Sequence, residues 1–325
     1  MEYNQLYHTV PSFDVKITND SKGEWAKART YLQTLTVLEE LNAPNMFVLA
    51  IYNWNDTEHT VVWSDSTLFD LGNEVEISLG YVDKSEAVMM GNIGSLEPVY
   101  QGGSSTLIVR GYDLRYKLLR GKKTRSFTDS TDGKIVDTIA GEASVPVEFT
   151  DPNVKLPYVM QHNQTDLAFI QERARRIGYE VYVSKKKLQF QPIQLKNDAG
   201  ITLTWGADLL DMYPRLTAVS QPGDLTVQGW DMTKKEAILA KAAVGDELST
   251  MNGKASGPST ANKAMGKSTF SVVNQPVFSL AEAEKMAQGQ FNKAALAYIE
   301  GEGTCLFYQS DAAHGLRCFA LMALC

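Results

Sequence analysis

Apolar and polar residues alternate along several short stretches in the first third of the chain. FDVKITN, EVEISLGYV (74–82) and TLIVRGYD (106–113) each place every second side chain on an apolar face, which is the pattern of a half-buried β-strand. Polar clusters such as TNDSKG (18–23) and QGGSS (101–105) separate these stretches and indicate turns. Strands joined by polar turns predict an antiparallel barrel or sandwich.

The next stretch, 114–198, predicts a small mixed α/β unit. RYKLLRGKK indicates a short helix or turn, and STDGKIVDTIAGEAS indicates a short helix with Asp132 as its N-cap. QTDLAFIQERARRIG is a clearer helix, because Thr165 or Asp166 can cap its start and Gly178 can end it in the left-handed conformation. EVYVSKKKLQFQPI predicts a β-hairpin that turns at SKKK.

Strand patterns return in the last third, with ITLTWG, LTAVSQ and LTVQGW. Residues 243–268 are rich in Gly, Ser and Lys and predict a flexible excursion. SLAE (279–282) is a capping box, in which the Ser and Glu side chains satisfy each other's free amide groups. It predicts a helix that starts at Ser279.

One seven-residue phrase occurs twice. LIVRGYD (107–113) and LTVQGWD (225–231) share Leu, Val, Gly, an aromatic residue and Asp at the same spacing. On a strand, Leu and Val share a face, Gly allows a tight exit or a close backbone approach, and Asp can cap the next element of the chain. The repeat predicts two copies of one β-rich domain on either side of the α/β unit.

Composition narrows the class of protein. The chain has 325 residues, of which 44% are hydrophobic and 21% charged, and its net charge is −7. These values are ordinary for a globular protein and argue against nucleic-acid binding, which favours basic chains. No apolar run approaches the roughly 20 residues of a membrane span, and no secretory signal opens the sequence. We expect a protein made and folded in a cytoplasm, with no membrane anchor.

The string with the strongest catalytic appearance is ANKAMGKS (261–268), which fits the relaxed phosphate-loop pattern. A phosphate loop needs a buried strand before it and a helix that opens at the Lys-Ser pair. Here the preceding residues are polar and the following ones, TFSVVNQPVF, indicate a strand. We therefore interpret the string as a mobile loop.

No other residues form a recognisable catalytic or metal-binding motif. The four histidines are scattered and the three cysteines are confined to the last 21 residues, so neither set indicates a metal site or a disulfide framework; they are His8, His59, His162, His314, Cys305, Cys318 and Cys325. The carboxylate pairs Glu39–Glu40 and Glu300–Glu302 are interpreted as solvated charges. The basic runs RGKK (120–123) and SKKK (184–187) indicate solvated faces or contacts to an acidic partner surface. We predict no catalytic, cofactor-binding or metal-binding residue.

Longer stretches resemble a known family. PSFDVKI, EVEISLGYVD, GNIGSLEPVY, LIVRGYDLRYKLLRGKKTRSF, DGKIVDTIAGEA, YVMQHNQTDLAFIQERARRIGYEVYV, LTWGADLL, LTVQGWD and YIEGEGTC follow one another over about residues 11–305. In order and spacing they resemble the late-control D family of tailed phages. That family includes baseplate hub proteins of contractile injection systems and the hub part of valine-glycine-repeat spike proteins of type VI secretion.

The resemblance implies a mainly β (α+β) fold with two tail-tube-like β-barrels. The first barrel would span residues 1–113, the α/β domain 114–198 and the second barrel 199–325, with the flexible insertion 243–268. It also implies a homotrimer that adapts a hexameric inner tube to a three-fold spike, with tube, spike or spike-tip and baseplate wedge proteins as partners. The protein would then be part of a phage virion or injection particle and would not be an enzyme.

The chain departs from the family pattern after GEGTC. Relatives continue with strands that complete the second barrel, whereas this chain reads LFYQSDAAHGLRCFALMALC (306–325). This atypical tail has the look of a truncated or frame-shifted product, so the second barrel could lack closing strands. Two other functions stay open: a baseplate-associated cell-wall hydrolase, and a cargo- or effector-binding module that uses 243–268 as its contact loop.

Overall fold

The computed structural model describes residues 11–305, apart from Ser21, 82–83, Lys185, 194–202, 207–208 and 251–252. His8, His314, Cys318, Cys325 and the tail 306–325 therefore lie outside the described residues. The fold is mainly β with an α+β arrangement, and its largest unit is a curled antiparallel sheet. The fold class predicted from the sequence is confirmed.

The first region, residues 11–113, is built on one six-stranded sheet. Its strand order is β1-β6-β7-β8-β3-β2, and all neighbours are antiparallel. The elements are β1 (Pro11–Ile17), α1 (Glu24–Ala28), a 3₁₀ turn (Arg29–Tyr31), β2 (Leu32–Leu38), β3 (Met46–Tyr52), β4 (Trp54–Asn55), β5 (Thr60–Val61), a 3₁₀ turn (Thr67–Phe69), β6 (Glu74–Tyr81), β7 (Lys84–Gln101) and β8 (Ser104–Tyr112).

The period-two pattern accounts for the burial of this sheet. Buried and partly exposed residues alternate along β3 and β8, because successive side chains of a strand point to opposite faces. The register places the buried pairs Leu49–Val109 and Ile51–Leu107 opposite each other. Together with their neighbours they form a core of 18 buried residues within the described part of the region.

The middle region, residues 114–193, has a separate core. The predicted helix, hairpin and short-turn elements are all present; they are a 3₁₀ helix (Leu114–Leu119), β9 (Lys123–Ser130), α2 (Asp132–Glu142), β10 (Val147–Phe149), β11 (Leu156–Gln164), α3 (Asp166–Arg176), β12 (Tyr179–Ser184) and β13 (Lys187–Pro192). Of the two candidate caps of α3, the Thr165 side chain accepts the hydrogen bond, from Ala168 N. Gly178 follows the helix with a φ of 71°, as predicted.

The predicted N-cap of α2 is wrong by one residue. Thr131, not Asp132, accepts a hydrogen bond from Lys134 N at 3.3 Å. The Asp132 carboxylate instead binds the Arg173 guanidinium of α3, at 2.6 Å from Oδ1 to Nε. Both side chains are at least 90% buried, so this ion pair fixes α2 against α3 inside the region.

The third region, residues 203–305, divides its strands between two sheets. β14 (Leu209–Leu216) pairs with β18 (Ile299–Cys305) as a two-stranded ribbon, and β15 (Asp224–Asp231) lies between β16 (Glu236–Ala243) and β17 (Thr269–Val272). The helix α5 (Leu280–Leu296) packs on the three-stranded sheet and shares its core of 10 buried residues. The excursion predicted for 243–268 contains a helix, α4 (Gly257–Met265), and its flexibility stays a prediction.

The predicted capping box at α5 is half confirmed. Ser279 accepts from Glu282 N at 3.2 Å, as the motif requires. The Glu282 carboxylate does not return to Ser279; it accepts from Phe278 N at 2.9 Å and from Arg176 of α3 at 3.0 Å. The helix start is thus tied to the middle region.

The repeated phrase has the local geometry that its residues predict. A Cβ added at Gly111 would lie 2.2 Å from the Phe47 ring, and one at Gly229 would lie 2.3 Å from Cγ2 of Val277, so both glycines allow a close approach. Asp113 accepts from Arg115 N at 2.8 Å, and Asp231 accepts from the amides of residues 233 and 234. The strand neighbours differ: β8 has two antiparallel neighbours, whereas β15 has one antiparallel and one parallel neighbour.

Candidate assembly interface

The first and middle regions meet at a buried ion pair. The Arg115 side chain is fully buried, and its Nη2 lies 2.8 Å from Oδ2 of Asp113. The guanidinium also donates to Oδ1 of Asn45 and to the carbonyls of Glu40, Leu41 and Val181. Each of the three guanidinium nitrogens of Arg115 therefore donates at least one hydrogen bond. This role of Arg115 is not evident from the sequence, because the residue precedes a run of basic residues that looks solvated.

The middle and third regions meet where α3 crosses α5. Arg176 donates to Glu282 Oε1 at 3.0 Å and to the carbonyl of Pro276. Burial lowers the pKa of the Arg176 guanidinium, and the Glu282 carboxylate opposes that shift. Beside this pair, a Cβ added at Gly289 would lie 2.4 Å from the nitrogen of Gly178, so the two backbones are in direct contact.

The phosphate-loop pattern does not form a phosphate loop. Ala261 and Met265 lie in α4, which precedes the Lys-Ser pair, and β17 follows the pair. The strand predicted for TFSVVNQPVF is confirmed only for Thr269–Val272. Lys267 binds the Asp224 carboxylate at 2.8 Å, and the Ser268 hydroxyl donates to the Gln221 carbonyl. The interpretation of 261–268 as a loop is wrong for Ala261–Met265, which are helical, whereas Lys267 and Ser268 connect the helix to the three-stranded sheet.

Asp224 joins both ends of the 243–268 insertion. It is the first residue of β15 and pairs in register with Ala243, where the insertion leaves, and with Thr269, where it returns. Its carboxylate binds Lys241 at 2.7 Å and Lys267 at 2.8 Å, with only 3% of its side chain exposed. The two ammonium groups hold the pKa of the Asp224 carboxyl far below its usual range.

The remaining candidates from the sequence do not come together. His59 and His162 lie in different regions, and within the described residues no group of three His, Cys, Asp or Glu side chains could hold a metal ion. Glu300 pairs with Arg215 at 3.0 Å, on the exposed ribbon. Lys123, from the basic run, is not merely solvated: it binds Asp166 at 2.7 Å. None of the helices described is long and apolar enough to cross a membrane.

Exposed apolar side chains are concentrated in the third region. Among the described residues, 22 large hydrophobic side chains are exposed, and 17 of them lie between Trp205 and Ile299. Single exposed hydrophobic residues are normal on a protein surface, but a concentration of them indicates an interaction site. The third region is therefore the best candidate for an assembly interface.

The β14–β18 ribbon has one apolar face and one polar face. In the register Leu216–Ile299, Pro214–Gly301 and Met212–Gly303, alternate residues share a face, and Met212 and Leu216 are 49% and 60% exposed on the apolar one. The other face carries Asp211, Tyr213, Arg215, Glu300, Glu302 and Thr304. The alternation of apolar and polar residues is visible in LLDMYPRL. Pro214 nevertheless argues against a strand at this point, because proline cannot donate a backbone hydrogen bond to a neighbouring strand, so the strand is not evident from the sequence.

A groove lies at the end of the first region, beside the Asp113–Arg115 pair. Its volume is about 510 Å³, and its lining includes Leu38, Pro44, Met46, Tyr112, Tyr116 and Leu119. The charged side chains among its lining residues are Glu40 and Arg120. Lys122 is also exposed and follows Arg120 by two residues, which places it within about 7 Å along the chain.

Three solved structures share the fold of this chain. The 43 kDa tail protein of prophage MuSo2 from Shewanella oneidensis has 15% identity and a TM-score of 0.63, covering 96% of this chain and 86% of that chain. A tail protein from Neisseria meningitidis MC58 has 15% identity and a TM-score of 0.57, covering 96% and 84%. Prophage tail protein gp18 from Listeria monocytogenes EGD-e has 13% identity and a TM-score of 0.51, covering 86% and 77%.

These comparisons modify the expectation drawn from the sequence resemblance. The coarser expectation, a likeness to phage tail proteins, is confirmed at the level of the fold. No curated protein sequence matches the chain significantly. The family model that matches is not the late-control D family but one described as the Alg8 N-terminal domain, over residues 11–308. Because that match spans most of its 325 residues, the chain belongs to the Alg8 N-terminal domain family.

Proposed function

We propose that this protein is a structural component of a phage tail or a related contractile injection machine, at the baseplate hub or the base of the spike. The chain would act as a homotrimer, with the first and third regions of three copies forming a ring of six β-rich units. That ring would adapt a hexameric inner tube to a three-fold spike. Its partners would be the tube protein, a spike or spike-tip protein and baseplate wedge proteins.

The observation that carries this proposal is the likeness of fold along 96% of the chain to tail proteins from two organisms. The concentration of exposed apolar side chains between Trp205 and Ile299 supports it further, since a component of a permanent assembly buries such surface against its neighbours. The role requires no catalytic residue, cofactor or metal ion. The protein would be assembled in the bacterial cytoplasm and retained in the particle.

Purification of particles from cells that produce a tagged copy of the chain tests the proposal. We expect the tag in intact tails or injection particles, and loss of complete particles when the gene is deleted. In solution we expect a mass of three copies of the 35.9 kDa chain by sedimentation equilibrium. A chain that stays monomeric and never enters particles would contradict the proposal.

A second candidate function, cargo or effector binding, has one observation in its favour. The 243–268 insertion exposes Val244, Leu248 and Met265 by 40%, 48% and 58%, although Asp224 fixes both of its ends. Replacing these three side chains by Ser should then leave particle assembly intact and remove cargo from the particles. Unchanged cargo content, measured by quantitative mass spectrometry of the particles, would count against this function.

A further inference from the structure

We draw no further inference here: the strongest candidate, the exposed apolar face of the β14–β18 ribbon with Met212 and Leu216, carries none, because nothing in the structure shows what covers it.

Discussion

The first and third regions share a strand phrase, but they bury their apolar side chains to very different extents. Within the described residues, the first region encloses a core of 18 buried residues and exposes two large hydrophobic side chains, Leu71 and Tyr100. The third region has a core of 10 and exposes 17. In both, the phrase places its glycine against a neighbouring side chain and its Asp at the strand exit. A strand motif thus determines local geometry, whereas the size of the sheet that the strand joins, six strands in the first region and three in the third, determines how much apolar surface is covered.

The largest expected difference concerns the Asp at the end of the phrase. Arg115→Ala leaves the buried Asp113 carboxylate without its partner and should lower the free energy of unfolding by about 3–5 kcal/mol. The corresponding change in the third region, Lys234→Ala, removes a pair at 3.9 Å in which the Lys side chain is 70% exposed. It should leave the stability within experimental error. Urea denaturation followed by tryptophan fluorescence compares the two variants, and equal losses would contradict the distinction.

Replacing the glycine of the phrase by alanine should also destabilise the first region more than the third. Gly111→Ala introduces a Cβ at 2.2 Å from the Phe47 ring and 2.6 Å from the Asn92 carbonyl oxygen. The Asn92 main chain cannot move aside as easily as the end of a side chain could. We expect a loss of about 3 kcal/mol. Gly229→Ala meets only the Val277 methyl group at such short range and should cost about 1–2 kcal/mol. Denaturant midpoints in the same solvent give the order, and a larger loss for Gly229→Ala would reverse the comparison.

Asp224 should make the third region more sensitive to acid than the first. The pKa of the Asp224 carboxyl is far below its usual range in the folded protein. The contribution of this carboxylate to the free energy of unfolding is therefore complete above the unfolded pKa of about 4, and it is lost as the pH falls toward the folded value. Asp224→Asn should cost about 1–2 kcal/mol at pH 7 and should flatten the loss of stability between pH 5 and 3. Thermal unfolding across that interval measures both effects. A variant with the same acid sensitivity as the wild type would contradict this assignment.

The smallest effect on the stability of a single chain is expected on the ribbon. Leu216 is 60% exposed, so Leu216→Ser should change the free energy of unfolding by about 0.5 kcal/mol or less. The buried Leu49 of the first sheet provides the contrast, because Leu49→Ala should cost about 2–5 kcal/mol. Measurements at low protein concentration keep association out of the comparison. A large loss for Leu216→Ser would show that the ribbon face is covered within one chain.

Local patterns predict the elements that depend on local interactions. The helix α3 follows from the Thr165 cap, the apolar spacing and Gly178, all within fourteen residues. The assignment of Asp132 as a cap fails because its partner, Arg173, is distant in sequence. α4 differs, because it has local signals: Ser256 caps its start by accepting from Ser259 N at 3.3 Å, and Pro258 lies in its first turn. These signals stand within a stretch rich in Gly, Ser and Lys, which favours the interpretation as a loop.

The candidate interface illustrates the same limit. The apolar alternation of β14 is present in the sequence, but nothing in LLDMYPRL indicates that β18 is its one partner among the strands that the structure describes. Exposure is a property of the surroundings of a strand, so the hydrophobic pattern cannot distinguish a core strand from an uncovered ribbon. The domain boundaries 1–113, 114–198 and 199–325 stay predictions, although separate hydrophobic cores form in the described parts of all three.

The contact between Gly178 and Gly289 has a mechanical consequence. Side chains at an interface can absorb a small displacement by changing rotamer, but here the two main chains touch without any side chain between them. A push along α3 of a few tenths of an ångström must therefore be passed to α5 as motion of the helix itself, since packed backbone is nearly incompressible. If the chain is the structural tail component proposed above, such a stiff coupling would let a force pass from the middle region to the third region without being dissipated in between.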